Sequence, residues 1–108
     1  MFLSGIDGNL KRAVDLIVDS AHPKKIVLFG SRGRGDSHPE SDFDILIVAD
    51  SHLPRYQRSI PIRRAVQGLF PSKDIVVFTP QEISDWSDVP NAFVTTALNE
   101  GLVLYEKD

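Results

Sequence analysis

Apolar residues fall at Leu10, Val14, Ile17 and Val18, and charged residues fill the positions between them. That spacing is one face of an α-helix, predicted over residues 9–21. Asp7 or Asn9 is expected to cap its start. His22-Pro23 is expected to end it, because the residue before a proline avoids the helical region. The pattern then changes from stripe to run. "KIVLFG" and "DFDILIVA" are short, β-branched and aromatic, and read as buried strands. Between them, "SRGRGDSHPES" is a turn-rich loop. "PRYQRSIPIRRAVQGLF" reads as helix, either interrupted at Pro61 or restarted there with the proline in its first turn. "DIVVFTP" is a third strand. Thr79-Pro80-Gln81-Glu82 has the form of a capping box opening a short helix through Trp86. "NAFVTTALNEG" is a further helix, with Gly101 expected as a left-handed cap, and "LVLYE" a final strand or a segment packed along the sheet.

The second and third strands are joined through helix, so they are expected to run parallel, with a right-handed crossover. The order of elements predicts an α/β (α+β) fold, a small mixed sheet flanked by helices. At 108 residues the chain reads as one domain, 1–108. With 42% hydrophobic residues, a chain this size buries roughly 60–70% of its unfolded surface.

Composition narrows the chemistry. There is no cysteine, which excludes disulfides and thiolate metal sites and fits a cytoplasmic protein. No signal peptide is visible at the N-terminus, and no run approaches the ~20 apolar residues of a membrane helix. A net charge of −3 gives no case for direct nucleic-acid binding. Charge is uneven, however. Arg55, Arg58, Arg63 and Arg64 share one segment, either as a solvated helix face or as a rim that attracts an anion or acidic partner. His22, His38 and His52 have no ligand spacing among them and read as solvated, although His38 lies in the motif loop.

Asp42 and Asp44 stand where a buried strand would carry Val or Ile. Positions two apart share a strand face, so these carboxylates point the same way and repel unless a cation lies between them. Hard oxygen ligands of this kind suit Mg²⁺, which retains waters and completes its shell from substrate phosphates. Asp74 likewise interrupts the third strand. If that strand lies beside the second, three carboxylates meet and make a two-metal phosphoryl-transfer site. A capping role for Asp42 and an edge position for Asp74 are the ordinary alternatives. Gly30-Ser31, directly after the first strand, adds a turn whose N–H groups can nest a phosphate. It is neither a Walker loop nor a dinucleotide fingerprint.

Gly30-Ser31, ten residues, then Asp42-Phe43-Asp44 resembles the signature of the DNA polymerase beta-like nucleotidyltransferase superfamily. "LFGSRGRGDSHPESDFDILIV" is similar to its minimal members, the MNT domains. Gly33 departs from the alanine usual there. The resemblance covers nearly the whole chain, including Asp74 and the ending "ALNEGLVLYE". It implies that Gly30, Ser31 and Ser41 hold the triphosphate of ATP or another nucleotide, with Arg32 or Arg34 as candidate phosphate contacts. It further implies that Asp42 and Asp44 bind two Mg²⁺ ions, and that Asp74 completes the metal site and helps activate the attacking hydroxyl.

Larger relatives add a helical domain that holds the acceptor; this chain shows none, which implies a separate chain. MNT proteins are commonly paired with small helical HEPN proteins in toxin–antitoxin modules. The resemblance therefore implies an antitoxin that transfers AMP to a HEPN-type ribonuclease toxin. The four arginines with Tyr56, Trp86 and Phe93 are candidates for that interface, although most of these aromatic groups are expected in the core. Two alternatives stay open: a non-catalytic antitoxin that works by occlusion, and a small-molecule nucleotidyltransferase completed by homo-oligomerisation. An Asp-x-Asp glycosyltransferase is disfavoured by chain length and leaves Gly30-Ser31 unexplained.

Overall fold

A computed structural model describes residues 4–29, 43–69, 73–86 and 93–107. Helix α1 (Ser4–Ala21) leads into β1 (Lys25–Phe29), and β2 (Phe43–Val48) follows. Two short helices, α2 (Arg55–Arg58) and α3 (Ile60–Ala65), precede β3 (Lys73–Phe78). Helices α4 (Pro80–Trp86) and α5 (Phe93–Glu100) then lead to β4 (Leu102–Glu106). The sheet order is β3-β2-β1-β4. β1 is antiparallel to both β2 and β4, while β2 and β3 are parallel. This is the expected mixed α+β architecture. The parallel pair follows from the helical connection, which returns the chain to the same end of the sheet.

The sheet carries apolar side chains on both faces. Phe43, Ile45 and Ile47 of β2, with Ile26 and Leu28 of β1, pack against Ala13 and Ile17 of α1 and Ile62 of α3. Leu46 and Val48, with Val27, pack against Val94 and Ala97 of α5. A strand covered on both faces reads as a near-continuous apolar run, which is why "DILIV" shows no alternation. Asp44 belongs, by alternation, to the α5 side.

Helix α1 ends as expected. His22 adopts φ 48°, and its N–H donates to the Val18 carbonyl at 3.0 Å, so a non-glycine residue closes the helix in the left-handed region before Pro23. Its start is not as expected. The helix is already formed at Ser4, so Asp7 and Asn9 lie inside it rather than at its cap. In sequence the apolar spacing continues backward to Ile6, four residues before Leu10, through glycines at 5 and 8 that each disfavour helix. Pro61 takes the restart alternative, standing in the first turn of α3.

The left-handed cap expected at Gly101 is not found there; the positive φ belongs to a glycine after another helix. Gly68, after α3, has φ 87°, a conformation costly to any side chain. Gly101 serves space instead. A β-carbon there would meet the Val27 side chain and lie 2.9 Å from the Leu28 carbonyl oxygen. The turn from α5 into β4 thus runs directly against β1.

The capping box is formed in full. Thr79 Oγ1 accepts from the Glu82 N–H at 3.2 Å, and Glu82 Oε1 accepts from the Thr79 N–H at 2.9 Å. Thr79→Ala is expected to cost about 1 kcal/mol in unfolding free energy by denaturant titration.

Candidate active site

Asp44 and Asp74 meet at one end of the sheet. They are register partners on the parallel strands β2 and β3, and neighbouring strands lie about 4.8 Å apart. Phe29, the last residue of β1, is the register partner of Asp44 on the other side. The end of β1 and the starts of β2 and β3 therefore lie side by side. Asp44 is half-buried and Asp74 exposed. The expectation that Asp74 would stand beside Asp44 follows from the parallel pairing, which brings both strand starts to the same edge. Gly30, Ser31, Arg32, Arg34, His38, Ser41 and Asp42 lie outside the described residues.

Hard carboxylate oxygens from adjacent strands on one face fit a cation that keeps waters and takes phosphate oxygens, such as Mg²⁺. Among the described residues there is no group of three or more His, Cys, Asp or Glu side chains able to hold a metal. Asp44 and Asp74 are the two such ligands of the expected set that fall within them.

The arginine segment divides by role. Arg58 is structural: its Nε donates to the Leu53 carbonyl at 2.9 Å and its Nη1 to the Val77 carbonyl at 3.2 Å. Nη1 also meets Glu82 Oε1 at 2.7 Å, with the Arg58 side chain 10% exposed. Arg55 lies over the Phe78 ring, 4.8 Å from its centroid, and reaches Glu82 Oε2 at 3.5 Å. Arg63 Nη2 lies 3.6 Å from Asp74 Oδ1. A plain solvated face is therefore the wrong description of Arg58, which ties α2 to β3 and α4. Tyr56, expected in the core with most of the aromatic candidates, is 77% exposed. The short helix α2 buries none of its residues, so it has no core face for Tyr56 to join. The side chains of Trp86 and Phe93 lie outside the described set. His22 and His52 are exposed, as expected.

The Arg58 hydrogen bond holds the Glu82 carboxyl down to about 2, from an ordinary 4.5, with the Thr79 N–H and the charges of Arg58 and Arg55 adding to it against desolvation. A carboxyl lowered on folding contributes stability that is complete above its ordinary value and is lost as pH falls through the lowered one. Stability is thus expected to drop between about pH 4.5 and 2. Glu82→Gln is expected to flatten that part of the profile, measured by thermal unfolding across pH. Sequence reading found the Thr79–Glu82 half of this network through the capping box. It missed Arg58, 24 residues away in sequence, for which no local pattern exists.

A groove of about 570 Å³ runs along β3, lined by Asp74 at one end and Phe78 at the other, with Arg55, Tyr56, Ser59 and Arg63 as its far wall.

This fold is shared by a solved structure. A protein of Sulfolobus solfataricus described as a "putative nucleotidyltransferase" superposes with a TM-score of 0.63 at 22% identity, covering 99% of this chain and 91% of that one. At that identity the likeness concerns the fold. The family model "Nucleotidyltransferase domain" matches residues 10–101, and the chain belongs to that family. A protein of Methanocaldococcus jannaschii named "putative protein adenylyltransferase" is 70% identical over 27 residues, a quarter of this chain and 27% of that relative's length. The matched segment thus spans about a quarter of this relative. No helix among the described residues is long and apolar enough to cross a membrane.

Proposed function

We propose that this protein is a Mg²⁺-dependent nucleotidyltransferase that moves a nucleoside monophosphate, AMP from ATP in the simplest case, to a hydroxyl of a partner protein. The observation that carries this is the in-register pair Asp44 and Asp74 on adjacent parallel strands, in a chain of the nucleotidyltransferase family. Asp44 and Asp74, with Asp42, are the metal ligands in this reading, and Gly30, Ser31 and Ser41 hold the triphosphate, with Arg32 and Arg34 on its phosphates. Bound Mg²⁺ would neutralise phosphate charge and align the attacking and leaving oxygens. The acceptor oxygen attacks the α-phosphorus, the bond to the bridging oxygen of the β-phosphate breaks, and pyrophosphate leaves. In this reading Asp74, the more exposed carboxylate, takes the hydroxyl proton.

The relative named as a protein adenylyltransferase supports a protein acceptor over a small molecule. The likeness of the motif to MNT domains supports a helical HEPN-type toxin as that partner, with this chain as the antitoxin. The test is incubation with the co-expressed partner, Mg²⁺ and ATP labelled at either the α- or the γ-phosphate. Label is expected on the partner from α-labelled ATP alone. Transfer from γ-labelled ATP, or toxin neutralisation with no transfer, would overturn the catalytic reading, the latter in favour of occlusion.

A further inference from the structure

We propose that the groove along the outer edge of β3 seats the acceptor: an extended, acidic segment of the partner protein that adds as a strand to β3 and carries its hydroxyl to Asp74. This rests on the reading of Asp74 as part of the transfer site.

β3 is a terminal strand of the sheet, and among the described residues no strand pairs with its outer edge. Its main chain alternates in direction. The Phe78 carbonyl turns inward and accepts the Ala49 N–H at 3.0 Å. The Val77 carbonyl turns outward to Arg58. Two residues back, Ile75 therefore also presents its N–H and C=O outward, next to Asp74. An edge with outward main-chain groups is a template for an added strand. Arg58 occupies the far part of that edge at Val77. Pairing is thereby confined to the Ile75 end, which sets an incoming strand beside the carboxylate rather than anywhere along β3.

The groove selects by charge and by one aromatic group. Arg55 and Arg63 line it against one lining carboxylate among the described residues, Asp74, and Glu82 is taken up by Arg58 at 2.7 Å. The ion pairs of Arg55 and Arg63 are long, 3.5 and 3.6 Å, with side chains 53% and 42% exposed. Such pairs contribute little to stability; with the Arg63 Nε donating to Ser59 Oγ at 3.3 Å, the remaining guanidinium donors can meet a carboxylate. Tyr56, largely exposed on the same wall, offers an apolar body with a polar tip, the kind of residue that anchors a bound peptide.

The test uses the full chain without nucleotide or Mg²⁺, so that it does not depend on transfer. ¹⁵N-labelled protein is titrated with a ten-residue peptide alternating Glu with Val around one Tyr, and with its twin carrying Lys for Glu. The acidic peptide is expected to shift the Ile75 amide and those of α2, and to bind at least about tenfold more tightly than its twin. The double variant Arg55→Glu/Arg63→Glu, changed only at exposed positions, is expected to reverse the preference. Four results would overturn the proposal. They are no binding of either peptide, equal binding of both, shifts confined to the β4 edge around Leu102 and Val103, or self-association through β3 without peptide. If the acidic peptide fails while α-phosphate label still reaches the partner, docking is wrong and the proposed function stands. If it binds at Ile75 but no label is transferred, the surface is real and the transferase reading is wrong.

Discussion

Asp44→Asn is expected to lower nucleotidyl transfer on the order of 10²–10³-fold while leaving the fold intact. Asparagine keeps the shape and one oxygen but loses the charge, and the charge is what holds a dication against a polyphosphate. Asp44 is half-buried between Phe29 and Asp74 in the register of the sheet. The packed residues on either side of it, Phe43 and Ile45, belong to the core cluster and are unchanged. The far-ultraviolet circular dichroism spectrum of the variant should therefore match the wild type. Loss of transfer with an intact spectrum separates chemistry from folding. A variant that still transfers at near the wild-type rate would remove Asp44 from the metal site.

The largest effect on stability is expected at Gly101→Ala. One methyl group there must enter space held by the Val27 side chain and by the carbonyls of Ala97 and Leu28, 2.5 and 2.9 Å away. Val27 is fully buried between the sheet and α5, so it has little room to yield, and a main-chain carbonyl has less. Overpacking of this kind costs about 1–3 kcal/mol, and the upper end is expected because three neighbours must shift, two of them main-chain carbonyls. For a domain of this size the upper end is a fall of roughly 13 °C in unfolding midpoint. Adding Val27→Ala should recover part of the loss and no more, since the Leu28 carbonyl remains. A midpoint unchanged by Gly101→Ala would mean that α5 and β4 are free to move off β1.

The elements legible in the sequence were those whose signals are local. The stripe of α1, the apolar runs of β1 to β3 and the Thr79–Glu82 capping box each depend on residues within a turn or a strand of one another, and each formed. The pairing of Asp44 with Asp74 was readable one step further. A helical connection between two strands fixes their parallel sense, and parallel strands bring their starts together. Glycine roles were less legible, because a sequence cannot distinguish a residue needed for positive φ from one needed for closeness. Gly68 needs the positive φ and stands in open space, whereas Gly101 needs the closeness. The Arg58–Glu82 tie and the exposure of Tyr56 were not readable. Both depend on how α2 settles against the edge of β3, and neither leaves a periodic pattern along the chain.

In the proposed function Asp44 and Asp74, with Asp42, hold a divalent cation that in turn holds a nucleoside triphosphate. Calorimetric titration of the protein with an ATP analogue that cannot be cleaved at the α–β bridge tests it without need of an acceptor. Binding is expected in the presence of Mg²⁺ and is expected to fall at least about tenfold with a chelator, or in Asp44→Asn or Asp74→Asn. Binding of equal strength with and without Mg²⁺, unaffected by either replacement, would contradict it.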